Sequence, residues 1–171
     1  MGMWNHTGQQ RPDFADEPSA GQESVWDYPR PPALVPCEVL VQVNAGSLPI
    51  AQSTRAMRVL ETASPPTVYI PPDDIHMDRL KRADGLSICE WKGAAEYWAL
   101  ATTTGEPVGW SYPRPQPAFA ELGGWLCFYP GRIDCYLGGE KVRAQEGGFY
   151  GGWVTNNIAG PWKGEPGTGG W

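Results

Sequence analysis

Apolar side chains occupy alternate positions at Val35, Cys37, Val39, Val41 and Val43, the two-residue period of a strand with one face buried. A strand is predicted there, entered from the extended, proline-rich run Trp26-Asp27-Tyr28-Pro29-Arg30-Pro31-Pro32 and ended by a turn at Asn44, Ala45 and Gly46. A second strand region is predicted over residues 50–61, with Ile50, Gln52 and Thr54 on one side and Ala51, Ser53 and Arg55 on the other. Residue propensity allows a short helix through 55–60 in its place. Thr67-Val68-Tyr69-Ile70, β-branched and aromatic between two proline pairs, reads as a brief strand, and Asp73, Asp74 and Ile75 toward Leu80 as one helical turn. Over residues 86–102 two strands are expected to meet at Gly93, the second alternating Ala95, Tyr97, Ala99 and Ala101 with Ala94, Glu96, Trp98 and Leu100. Residues 124–129 and 133–137 are further strands, and Gly138-Gly139 is a two-residue hairpin turn that needs positive φ. No longer stretch keeps the spacing of an amphipathic helix.

Composition points the same way. With 22 Gly, 18 Pro and 9 Trp in 171 residues helices are broken or crowded, while 41% apolar content suffices for one core. Residues 1–24 carry too few apolar groups to offset their ordering entropy, so a mobile N-terminal arm is expected there, able to dock Trp4 or Phe14. Residues 25–171 are expected to form a single β domain, with the Gly/Trp-rich residues 146–171 packing on it. The net charge of −6, with Lys and Arg scattered singly, offers no basic stripe to phosphate backbones, so nucleic acid is not an expected partner. No run before Arg30 resembles a signal peptide and none approaches the ~20 apolar residues of a membrane span, so no membrane partner and a cytoplasmic location are expected. Met1-Gly2-Met3-Trp4-Asn5-His6 lacks the hydroxyl residue of a myristoylation signal. Cys37, Cys89, Cys127 and Cys135 form no Cys-x-x-Cys pair, and separate buried thiols are expected rather than a metal site or disulfides.

The ordered motifs Ile50-Ala51-Gln52-Ser53-Thr54-Arg55, Tyr69-Ile70-Pro71-Pro72-Asp73-Asp74, Cys89-Glu90-Trp91-Lys92-Gly93, Trp110-Ser111-Tyr112-Pro113 and Gly138-Gly139-Glu140 resemble those of domain of unknown function family 427. The resemblance spans residues 26–171. Its closing segments Gly148-Phe149-Tyr150-Gly151-Gly152-Trp153 and Gly160-Pro161-Trp162-Lys163-Gly164 are similar to the longer bacterial members. It implies an all-β fold of the β-tent or open-barrel kind, two antiparallel sheets leaning together over a pocket, with at most one or two short helical turns. Some relatives in that wider fold hold zinc on paired cysteines, which this chain lacks, so zinc is not carried over. The family also bears a nucleotidyltransferase-like label. Nucleotidyl transfer needs carboxylates placed to hold magnesium, and only Gly46-Ser47 and the adjacent Asp73-Asp74 are available here. Neighbours on an extended chain point to opposite faces, so no cofactor is predicted, and magnesium enters only under the nucleotidyltransferase alternative.

The family motifs contribute Ser53, Arg55, Asp74, Lys92 and Tyr97, groups able to hold an anionic or hydrogen-bonding ligand. Cys89, Trp110 and Tyr112 complete the candidate ligand-binding set, and tryptophan supplies broad, stiff contact area. The competing account pairs Arg55 with Asp74 or a glutamate at the surface and leaves Tyr97 in the core and Lys92 in solvent. Trp91, Trp98, Trp110, Trp125 and Trp153 are the candidate pocket walls, although for any single one of them core filler is the better reading. Cys89, three residues before Lys92, and Asp74 are the catalytic candidates, but a cysteine nucleophile needs a base and the chain offers only His6 and His76. The leading expectation is a small-molecule-binding β domain for a small polar or anionic ligand. A nucleotidyltransferase-like or thiol-dependent enzyme and a protein-interaction module are the alternatives.

Overall fold

The two-residue period produces a mostly β structure, described over residues 4–89, 91–102, 105–147, 151–164 and 166–171 of a computed structural model. Met1, Gly2, Met3, Glu90, Gly148, Phe149 and Tyr150, which figure in the sequence motifs, lie outside the described residues. Along the chain come β1 (Glu23–Ser24), β2 (Ala33–Pro36), β3 (Val41–Ala45), β4 (Leu48–Ser53) and β5 (Met57–Leu60). Next are β6 (Thr67–Ile70), β7 (Leu80–Cys89), β8 (Gly93–Leu100), β9 (Gly109–Ser111) and β10 (Leu126–Phe128). The series ends with β11 (Asp134–Leu137), β12 (Glu140–Lys141), β13 (Arg143–Ala144), β14 (Trp153–Val154) and β15 (Ile158–Ala159). Among the described residues helix is confined to 3-10 turns at Val25–Asp27, Pro72–Asp74, Met77–Arg79 and Pro117–Leu122. None is long and apolar enough to cross a membrane.

Seven strands form one antiparallel sheet in the order β2-β5-β6-β10-β9-β8-β7, and four form a second in the order β12-β11-β3-β4; the described residues close no barrel. The main core lies between them, built on Val41, Val43, Ile50, Val68, Ile70, Leu126, Phe128 and Trp153. Full burial of each such side chain contributes about 1.5–3 kcal/mol. The Gly138-Gly139 hairpin joins β11 to β12 with φ of +55° and +87°, values open to glycine and costly to a residue with a Cβ.

Two stretches that read as single strands are divided. The alternation from Val35 to Val43 spans β2 and β3, which belong to different sheets. Pro36 has no N–H to extend the ladder, and Val39 emerges 46% exposed between the sheets. Residues 50–61 likewise split into β4 and β5, again in different sheets and without helix at 55–60. There the Ser53 hydroxyl accepts the Arg55 N–H at 3.0 Å, a local bond that takes the backbone out of the ladder.

A smaller cluster of Val25, Trp26, Tyr28, Ala63 and Ile158 holds the chain ends. β1 pairs in parallel with β15, Arg11 forks onto Asp27 with both bonds at 2.8 Å, and Phe14 stacks on Trp171 at 5.0 Å between centroids. Trp4 lies against two cations, 4.0 Å from the Arg30 guanidinium and 4.6 Å from the Lys163 ammonium.

Candidate functional site

The register of the large sheet sets an aromatic row. Tyr97 on β8 stands opposite Trp110 on β9, Trp110 opposite Cys127 on β10, and Cys127 opposite Tyr69 on β6. Directly opposed residues project from the same face, so four strands bring these side chains together although they are far apart in the chain. The Trp110 indole donates to the Tyr69 hydroxyl at 3.2 Å, with the rings edge to face. Its ring also lies 4.6 Å from that of Tyr129, and Tyr112 lies 6.3 Å from Tyr69.

Two adjoining cavities open on this row and share Trp110, Tyr112 and Gly151. The first, of about 270 Å³, is walled by Ser87, Ile88, Cys89, Tyr97 and Tyr129 besides the shared residues. The second, of about 170 Å³, is walled by Glu61, Ser64, Thr67, Tyr69, Lys92, Gln145 and Lys163 among others. A Cβ on Gly151 would stand 2.2 Å from the Trp110 ring, so only glycine lets the backbone pack this closely on the ring where the two cavities meet. In the first cavity the Ser87 and Tyr97 hydroxyls bond each other at 2.6 Å.

The second cavity is cationic in a protein of net charge −6. Lys92 and Lys163 are 7% and 6% exposed, and among the described residues neither forms an ion pair with a carboxylate. The Lys92 ammonium lies 5.7 Å from the rings of both Tyr112 and Phe119. Glu61, the carboxylate of this cavity, is already paired with the Arg30 guanidinium at 3.3 Å. Burial, and secondarily the charge of Arg30, lowers the Lys163 pKa. Gln145 and Ala63 hold the Lys163 backbone, the Ala63 carbonyl accepting its N–H at 2.9 Å, and Gln145 bridges it to Gly152. The buried Gln145 carboxamide donates to the Lys163 carbonyl at 2.7 Å and accepts the Gly152 N–H at 3.1 Å.

Burial raises the pKa of Tyr69, of Tyr112 with help from Cys89, and of Tyr129 up to about 12. These phenols therefore face the cleft as neutral hydroxyls at physiological pH.

The candidate residues divide into two groups. Cys89, Lys92, Tyr97, Trp110 and Tyr112 surround the paired cavities. Ser53, Arg55 and Asp74 line neither and bond one another: Ser53 donates to Asp74 at 2.6 Å, and Arg55 forks onto it at 2.8 and 3.1 Å. Arg55 holds the Asp74 carboxyl below its usual range. With both oxygens engaged, Asp74 does not fit a magnesium site. His76 is exposed and absent from the Cys89 cavity, and His6 packs against Phe14 and Trp26.

Lys163, Gln145, Tyr69 and Tyr129 escaped the sequence reading as site residues. The signal available for Lys163 was the motif Gly160-Pro161-Trp162-Lys163-Gly164, where a lysine is set among residues that follow a surface closely. Three larger concavities, of about 480, 550 and 390 Å³, are also present, but their arginines are engaged. Arg132 pairs with Glu106, Arg58 with Glu23, and Arg79 donates to the Pro49 carbonyl.

Fold and cleft together define an all-β domain with an aromatic-walled, lysine-bearing cleft on its larger sheet. No curated protein matches the chain. The model of the domain of unknown function DUF427 matches residues 33–139, and the chain belongs to that family.

Proposed function

We propose that this chain is a small-molecule-binding domain that takes a small anionic ligand in the paired cavities, acting in the cytoplasm, where its four free thiols suit a reducing compartment. The observation that carries the reading is the pair of buried ammonium groups, Lys92 and Lys163, without a carboxylate partner among the described residues. A buried charge is costly unless paired, and an incoming anion would supply the missing partner. Tyr69 and Tyr112 add neutral hydroxyl donors to the same cavity.

Thermal melting against acetate, benzoate, inorganic phosphate and phenyl phosphate tests the reading. At least one anion is expected to stabilise the protein saturably. Lys92→Met and Lys163→Met should each weaken it by about tenfold or more, since a hydrogen bond to a charged group contributes about 1.5–3 kcal/mol. Unchanged affinity in both variants would overturn the proposal, and stabilisation by nucleotides only with magnesium would transfer it to the nucleotidyltransferase alternative.

A further inference from the structure

We infer that the ligand is a small arene or heteroarene bearing a single anionic group, with its ring in the Tyr97–Trp110–Tyr129 cavity and its anion at Lys92 and Lys163. The inference rests on the anion-binding reading above and adds the chemistry of the rest of the molecule. The charge asymmetry of the two compartments carries it. Both lysines line the smaller cavity and neither lines the larger one.

In the larger cavity the walls are mainly ring faces and edges, and the polar atoms of Trp110, Tyr97 and Ser87 are already engaged. The Trp110 indole N–H is taken by Tyr69 and the Tyr97 hydroxyl by Ser87. A cavity so lined favours a flat, polarisable body over a hydrated one, because offset and edge-to-face ring contacts are gained while few polar groups need satisfying. Its volume of about 270 Å³ suits one or two fused rings, given that an apolar cavity of roughly 150 Å³ accepts benzene.

The junction fixes how the two parts are joined. Trp110 and Tyr112 wall both compartments, and the Gly151 backbone packs against the Trp110 ring where they meet. A ring packed against Tyr112 and Trp110 therefore needs only a short link to set its anion in the lysine cavity, which those same side chains wall. That cavity, about 170 Å³, holds one carboxylate or phosphate with its immediate atoms. A nucleoside triphosphate brings more negative charge than two ammonium groups balance and more volume than either compartment offers.

Isothermal titration of the full chain separates the parts. Acetate and inorganic phosphate supply the anion alone, indole the ring alone, and benzoate, indole-3-acetate and phenyl phosphate both. The inference expects at least one ring-bearing anion to bind ten times or more tightly than both the matching bare anion and indole, with benzoate against phenyl phosphate deciding between carboxylate and phosphate. Tyr97→Ala and Tyr129→Leu, one on the sheet and one beyond it, should each reduce that ratio severalfold. Ring-bearing anions no tighter than bare ones, with both weakened by Lys92→Met, would overturn this inference and leave the anion site standing. Indole binding as tightly as indole-3-acetate would overturn it too. Absence of all anion binding would remove both.

Discussion

Lys163 shows how burial changes the working range of a side chain. Removal from water disfavours the charged form and the nearby Arg30 adds repulsion, so its proton is lost below the ordinary lysine value of 10.5. Anion binding needs the ammonium, which sets the sign: affinity should be level at neutral pH and fall as pH rises through the lowered pKa. Titrating benzoate binding from neutral to pH ~10 checks this, because free lysine is still mostly protonated at the top of that range. Lys163→Met should flatten the fall. Asp74 is the opposite case. Its carboxylate is held charged by Arg55 and Ser53 in a closed set of bonds, so the same residue types that recognise ligands serve to tie β4 to the Pro72–Asp74 turn.

The β11–β12 hairpin is an element whose sequence signal is entirely local. Gly138 and Gly139 carry the positive φ that a two-residue turn with the twist of its strands requires. Space is not the constraint at Gly139, where an added Cβ would meet nothing within 4 Å. Gly139→Ala should therefore cost about 1–2 kcal/mol from backbone strain alone, measured by urea unfolding with an unchanged m-value. β7 and β8 illustrate the reverse dependence. Their pairing near Gly93 follows from alternation, but the register shift between Ala83 and Ser87 does not, and past it β7 carries Ser87, Ile88 and Cys89 to the edge of the ring cavity. A bulge is decided by what the partner strand must pack against.

Both ends of the chain meet on one side of the molecule. Phe14 stacks on Trp171, and Trp26 lies edge-on to both at 5.2 and 5.3 Å. A double-mutant cycle on Phe14→Ala and Trp171→Ala should return a coupling of about 0.5–1.5 kcal/mol, the usual range for an aromatic pair. Additive losses would show that the two rings are held independently. The same arrangement places Trp4 over Lys163, so residues before β1 reach the cation of the cleft across the whole sequence.

Alternation, proline placement and glycine pairs are properties of neighbouring residues, which is why the all-β class, the Thr67–Ile70 strand and the Gly138-Gly139 turn could be read directly from the chain. The same locality explains the errors at residues 35–43 and 50–61, where an unbroken period hides a passage between sheets. The motifs singled out Lys92, Trp110 and Tyr112, but their grouping with Tyr97 and Cys89 apart from Arg55 depends on strand order and register across the large sheet. Lys163 is brought beside Lys92 by long-range bonds, its N–H to the Ala63 carbonyl and its carbonyl to the Gln145 carboxamide. Contacts of that kind are set by how strands stack and return, and no local period encodes them.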